Sequence, residues 1–233
     1  MAREFDRTNT DTGQYISCGT SSSLNPANNL TYACWVNFNT RPNEAGGGAG
    51  GYTAQFLISR DGASTNRCAG LILQAYQGTA HTFLGAIYKN NTTASEVQGT
   101  TVAAINTWYH VALTYKFVTD GTSELRLYVN GAQEASSTSA VGPINQATVA
   151  TELGRRVGVN RFPLEGRLAE VAIYNTTLSA AEVASLADGM TPDKVSPQGL
   201  VLYAPLVRDL IDLKGNTLTN NSTTVVDHPR VYA

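Results

Sequence analysis

The sequence predicts an all-β fold: a two-sheet antiparallel jelly-roll sandwich with one short helix. Three observations carry that expectation. From Trp108 to Gly131 the chain reads WYHVALTYKFVTDGTSELRLYVNG, two alternating runs around a polar turn. Tyr109, Val111, Leu113 and Tyr115 fall on one side, with His110, Ala112, Thr114 and Lys116 on the other. Leu125, Leu127 and Val129 then oppose Glu124, Arg126 and Tyr128. A period of two puts one face of each strand on a core and the other nearer water. Turn signals also recur along the chain at roughly 8–12 residue spacing, as in a sandwich. Finally, 21 glycines and a charged content of 15%, against about 25% in typical domains, suit strands joined by many turns.

Taken in order, residues 3–18 read as a first strand pair around the turn Asn9-Thr10-Asp11-Thr12-Gly13. A polar loop over 21–29 leads to a strand from Leu30 to Phe38 that carries Trp35. Residues 43–51 (NEAGGGAGG) form a glycine-rich connection without the Lys-Ser/Thr of a phosphate loop. Gln55–Arg60 is a strand ended by Asp61-Gly62, and Cys68–Tyr76 and His81–Lys89 form a hairpin around Gln77-Gly78-Thr79. Asp120-Gly121 and Asn130-Gly131 are hairpin turns, so the central run continues into a third strand. Ala147–Leu153 and Arg167–Tyr174 add strands. Ser179-Ala180-Ala181-Glu182 is a capping box that opens the helix, and Gly189 closes it. Thr191–Gly199, with Pro192 and Pro197, reads as a linker. Leu200–Ala204 returns as a strand, with 206–213 behind it. Beyond about Asn216 the tail reads either as an arm that docks on a neighbouring copy or as a segment folded back on its own domain.

Several of these runs resemble laminin-G-like domains of the concanavalin A-like lectin/glucanase superfamily, in the family's order. WYHVALTY followed by LRLYVNG resembles its central hairpin, and Phe5-Asp6 with Gln14-Tyr15-Ile16 its opening strand. Leu30–Val36 resembles its Trp-bearing strand. Leu153-Gly154, Gly166–Tyr174 and Leu178–Val183 resemble a later strand, the next strand and the short helix after it. The resemblance covers about residues 3–190. It implies a 1–190 laminin-G-like jelly-roll domain and a 191–233 C-terminal extension, made of a strand returning to the sandwich plus an extended arm. The superfamily hosts many activities, so fold alone does not give function.

Charge narrows the choices. With a net charge of −2 and no basic run interleaved with aromatics, neither nucleic acid nor an anionic membrane is an expected partner. No stretch approaches the roughly 18 apolar residues of a membrane span, and Met-Ala-Arg-Glu-Phe-Asp lacks an apolar leader core. The expectation is a protein made in the cytoplasm without a signal peptide. Cys18, Cys34 and Cys68 are odd in number and irregular in spacing, which fits reduced core thiols better than a metal site.

Catalysis finds little support. Retaining glycosidases place two carboxyl groups about 5–5.5 Å apart, which on one strand needs a Glu-x-Asp-x-Glu pattern, and none occurs. Glu4 and Asp6 are the closest approach, at the N-terminal edge beside Arg3 and Arg7, while Glu165 and Glu170 fall on opposite sides of a strand. His81, His110 and His228 show no repeated metal spacing; His110 reads as a hydrogen-bonded sheet residue. No cofactor is expected from the residues themselves. The resemblance implies Ca²⁺ held by loop carboxylates, for which Asp61 and Asp120 are the candidates. The acid usual in the family's Gly-x-Ile-Asp-Glu strand is Ala169 here, and Glu170 reads as a hydrogen-bonding residue.

For sugar binding, Tyr76, Tyr88 and Tyr52 are the candidate platforms, with Arg155, Arg156 and Arg161 as planar polar partners in the one local basic cluster. The chain also resembles stand-alone modules of tailed-phage virions. That implies a non-enzymatic decoration or accessory protein on the virion surface, contacting other virion proteins, copies of itself or surface glycans. The tail residues His228, Pro229, Arg230 and Tyr232 would form its interaction arm. A carbohydrate-binding module of a larger or secreted system is the alternative; a glycoside hydrolase is a third.

Overall fold

A computed structural model describes residues 2–7, 13–42, 53–62, 65–76, 80–158, 162–207 and 209–226, with 75, 76 and 80 described as backbone only. Strands are numbered in chain order. One sheet holds eight: β1 (Ala2–Phe5), β3 (Asn29–Phe38), β8 (Trp108–Lys116), β9 (Ser123–Val129), β10 (Ala132–Ala140), β12 (Gly166–Tyr174), β13 (Leu200–Ala204) and β15 (Thr224–Val226). The other holds seven: β2 (Tyr15–Ser17), β4 (Ala54–Asp61), β5 (Arg67–Tyr76), β6 (Ala80–Tyr88), β7 (Ala94–Val102), β11 (Glu152–Leu153) and β14 (Thr219–Asn221). Their orders are β10-β9-β8-β3-β12-β1-β15, with β13 also on β12, and β14-β2-β11-β4-β5-β6-β7. All these pairings are antiparallel, and the two sheets enclose one main core, so the jelly-roll sandwich is as the sequence predicts. Among the described residues no helix is long and apolar enough to cross a membrane.

The inward alternation of β8 and β9 holds: Val111, Leu113, Tyr115, Leu125 and Leu127 are fully buried. Their opposite face departs from expectation. His110, Ala112, Thr114 and Tyr128 are buried as well, because helix α1 (Ala180–Ala187) and the segment after it lie on that face. Ser179 caps α1 through the predicted box, and Gly189 follows the C-cap with φ of +98°. Ala172, Ala33 and Ala112 are cross-strand neighbours. Their small side chains leave room for Leu178, Val183 and Leu186 to pack above them.

Other expectations are corrected. Residues 3–18 are not a hairpin: β1 pairs with β12 and β15, while β2 pairs with β11 and β14 in the opposite sheet. The strand expected over 147–153 shrinks to Glu152–Leu153. Strand β7 carries no strong sequence signal because, as an edge strand, it buries few side chains. The expected linker is a packed segment in which Pro192 and Val195 are buried and Pro192 O accepts from the Tyr174 hydroxyl at 3.1 Å. The tail folds back as far as Val226, with β14 and β15 each closing a sheet edge. His228, Pro229, Arg230 and Tyr232 lie outside the described residues.

A single carboxylate bridges the sheets at the opposite side. Glu134 of β10 accepts from the backbone N–H groups of Thr100 at 2.9 Å and Thr101 at 3.0 Å in β7, and from the Thr101 hydroxyl. Gly99 makes room for it, since a Cβ there would lie 2.4 Å from Glu134 Oε2. Glu134→Ala strands two backbone donors and is expected to lower stability by about 1–2 kcal/mol, measured by urea unfolding. Glu134→Gln, which keeps one acceptor, should lose less.

Candidate functional site

Of the arginines and aromatics singled out from sequence, the outer face of the seven-stranded sheet carries Tyr88, Arg155 and Arg156, each already engaged by its neighbours. The Arg67 guanidinium lies 3.8 Å from the Tyr88 ring centroid, its Nε is 3.4 Å from both Asp61 carboxylate oxygens, and its Nη2 donates to the Tyr88 hydroxyl. Burial pushes the Tyr88 phenol up to about 12 even with Arg67 beside it. Arg155 sits 3.2 Å above the Tyr15 ring and donates to Glu152 at 2.6 Å through Nε and 3.2 Å through Nη2. Arg156 lies 4.7 Å from Phe162, which stacks on Phe56 with centroids 6.0 Å apart. The ring face of Tyr88 that a sugar would need is therefore covered by Arg67. Arg155 and Arg156 serve separate clusters rather than one site. Tyr52, Arg161 and the side chain of Tyr76 lie outside the description.

The calcium candidates are committed too. Asp61 is buried and paired with Arg67. Asp120 is paired with Lys89 and accepts from Gly142 N–H at 3.1 Å, contacts that hold its carboxyl below the usual range. Ca²⁺ needs six to eight oxygen ligands. Among the described residues no group of three or more His, Cys, Asp or Glu side chains converges, so these residues do not fit a calcium centre. Cys18, Cys34 and Cys68 are buried and unpaired, with burial pushing each thiol up.

The open polar surface lies on the other sheet, beside the N-terminal end of α1. A cleft of about 410 Å³ is lined by Asn29, Lys116, Glu124 and Arg126 on the strands and by Thr176, Thr177, Ser179 and Glu182 on the segment entering the helix. Asn29, Lys116 and Glu124 are successive cross-strand neighbours. The Thr31 hydroxyl, donating to Thr176 O at 2.8 Å and accepting from Leu178 N–H at 3.0 Å, ties the helix entry to β3. Thr177 Oγ1 lies 2.7 Å from Tyr115 O and 3.2 Å from Asn29 Oδ1.

Two carboxylates, Glu124 and Glu182, thus share one groove, a pairing that a search along single strands cannot find. Each is already engaged. Glu124 pairs with Arg126 at 2.6 Å, and Glu182 accepts from Ser179 N–H and Oγ–H, both at 2.8 Å, in the capping box. Lys116, Glu124 and Arg126 were legible as outward positions of the central hairpin. The second wall of the cleft was not, because nothing local says where 176–182 comes to rest.

At the other end of α1, Trp35, His110 and Glu170 form a notch with Leu186, Met190 and Pro192. His110 is only 2% exposed, and its Nδ1 has no hydrogen-bond partner, contrary to the expected bonded sheet histidine. Such a buried unpaired group costs about 1–3 kcal/mol. Glu170, also buried, has φ of +50° at a bulge in β12 and accepts from the Tyr203 hydroxyl at 2.5 Å.

With this geometry in place, comparisons with known proteins fix the family. The laminin-G model described as the concanavalin A-like lectin/glucanases superfamily matches residues 10–184. The chain belongs to that superfamily. No curated protein sequence matches it. Three solved structures show the superfamily's fold in relation to this chain. A proposed carbohydrate-binding protein of Bacteroides ovatus aligns with TM-score 0.72 and 21% identity over 99% of this chain, which spans 61% of that protein. A heptameric SAP-like pentraxin of Limulus polyphemus gives 0.59 and 14%, covering 96% of this chain and 93% of its own. The CBM40 of a Ruminococcus gnavus IT-sialidase, bound to α2,3-sialyllactose, gives 0.56 and 12%, covering 80% of this chain and 98% of its own.

His110 generates a pH prediction. Burial lowers its pKa from 6.5 to about 3, so the native imidazole stays neutral while the unfolded one takes up a proton below about 6.5. Stability should therefore fall as pH drops from about 6.5 and level off near 3, with a slope approaching about 1.4 kcal/mol per pH unit from this group. His110→Phe should flatten that part of the profile relative to the parent, as measured by denaturant unfolding at pH 3.5 to 7.

Proposed function

We propose that the protein is a non-catalytic carbohydrate-binding domain and that the cleft beside the start of α1 receives the sugar. The cleft itself is the observation that carries this reading. Its volume falls in the range of about 300–1,000 Å³ common for ligand sites, and planar polar groups line it from both sides. Asn29, Lys116, Arg126 and the threonine hydroxyls supply donors, and Glu124 and Glu182 supply acceptors, a mixture suited to vicinal hydroxyls. The fold relatives support the class: one is described as a proposed carbohydrate-binding protein, and another holds sialyllactose.

Hydrolysis is the less supported reading. It would require one carboxyl to donate a proton and the other to attack or activate water. Here Glu124 is tied up by Arg126 and Glu182 by the helix cap. Carriage of the domain on a virus particle, among virion proteins or copies of itself, rests on the resemblance in sequence alone.

A glycan array followed by calorimetry on the best ligand tests the binding site. Arg126→Ala and Lys116→Ala, both at the surface, should each weaken binding at least tenfold without lowering the melting temperature, and no cleavage product should form. An array with no retained glycan, or unchanged affinity in both variants, would defeat the proposal.

A further inference from the structure

We infer that the cleft beside the start of α1 selects sugars bearing an anionic substituent, a carboxylate or a sulfate ester, and that Lys116 and Asn29 receive that group. This rests on the carbohydrate-binding reading and narrows its substrate class. The cleft holds about 410 Å³ of open volume, so a ligand can enter without displacing protein.

Formal charge alone does not set the preference. The lining carries two cations, Lys116 and Arg126, and two carboxylates, Glu124 and Glu182. What matters is which of the four are already paired. Glu124 has Arg126 at 2.6 Å. Glu182 accepts from the Ser179 N–H and hydroxyl, both at 2.8 Å, in the first turn of α1, where the positive end of the helix dipole offsets a negative charge. Lys116 is exposed, and among the described residues its ammonium has neither an ion pair nor a hydrogen bond. One positive charge is left over, and it borders the open volume.

The register supplies a second donor beside it. Asn29 is the direct cross-strand neighbour of Lys116, and side chains so placed have Cβ atoms about 4.5–5.5 Å apart. Asn29 Oδ1 lies 3.2 Å from Thr177 Oγ1. Its amide NH2, which can donate twice, bonds to none of the described residues. An ammonium and an amide this close suit two oxygens of one carboxylate or sulfate. Glu124, the neighbour of Lys116 on the other strand, spends its charge on Arg126 instead. A neutral sugar leaves the lysine without a counter-charge, and a cationic amino sugar sets like charges together.

Calorimetry on sugar pairs that differ in one substituent tests this: methyl glucuronide against methyl glucoside, and galactose 6-sulfate against galactose. At low salt the anionic member should bind at least fivefold more tightly. The margin should shrink in about 0.5 M salt, where charges on exposed groups are screened. Lys116→Gln keeps a donor and removes the charge; it should erase the preference while neutral sugars bind much as before. Glu124→Gln removes a negative charge from the wall and should strengthen anionic binding. Preference for the glucuronide alone assigns a carboxylate, and for the sulfate alone a sulfate ester. Equal affinity within both pairs, or a preference that survives Lys116→Gln, overturns the inference. Acetate or inorganic sulfate competing as strongly as the glycosides would overturn the sugar assignment. If neutral glycans bind in the cleft as tightly as anionic ones, this inference falls alone; if no glycan binds at all, the proposed function falls with it.

Discussion

The row Ala172–Ala33–Ala112 presents little more than methyl groups to the outer side of the eight-stranded sheet, in register across three strands. A helix can approach such a surface closely and cover it, whereas larger side chains in the row would hold the helix off. Leu178, Val183 and Leu186 fill the space, with Tyr128, Tyr174 and Tyr203 around them. The sheet's three central strands are consequently buried on both faces. An α-helix rises about 1.5 Å per residue, so the eight residues of α1 reach across only part of the sheet. An open depression, the polar cleft, is left near Ser179, while the notch near Met190 at the other end is closed. The placement of the candidate surface follows from a short helix lying on a wide sheet.

The bulge in β12 shapes the closed notch at the other end of the helix. Along one edge this strand pairs first with β1, through Gly166–Leu168, and then with β13, through Val171–Tyr174. Glu170 stands at the changeover, where its N–H donates to Pro205 O at 3.3 Å. One extra residue there lets Leu168 and Val171 both face the core despite being three apart in sequence. The left-handed φ is the local cost, and it brings a carboxylate to the side where Trp35 and His110 already stand.

Much of the fold was legible in the sequence because its signals are local. Alternation marks β3, β8 and β9, Asp120-Gly121 and Asn130-Gly131 mark their turns, and Ser179 with Glu182 marks the helix start. What could not be read is set by distant partners. Nothing in residues 3–18 says that β1 and β2 belong to opposite sheets, and Ala94–Val102 lacks the apolar alternation of a central strand because it lies at an edge. Site residues divide in the same way. Lys116, Glu124 and Arg126 stood at outward positions of a visible hairpin, but 176–182, which completes the cleft, lies some 50 or more residues away in the chain. The arginine cluster was visible as composition, while the rings that Arg155 and Arg156 would cover were not.

That division bears on which surface can bind. A side chain contributes to affinity only by what it gains beyond its contacts in the free protein. Arg67 would have to give up a carboxylate and an aromatic face before a sugar could stack on Tyr88, and cation–π contact alone is worth about 0.5–2 kcal/mol. Arg155, held by Glu152 and Tyr15, faces the same arithmetic. These clusters stiffen the outer side of the seven-stranded sheet, and their charge and aromatic content reflect that task. In the cleft beside α1 the balance differs, because Lys116, Arg126 and Asn29 border open volume and can keep their present contacts while making new ones. Planarity and charge are common to both faces; access to a ligand separates them, and it favours the proposed site on the eight-stranded sheet.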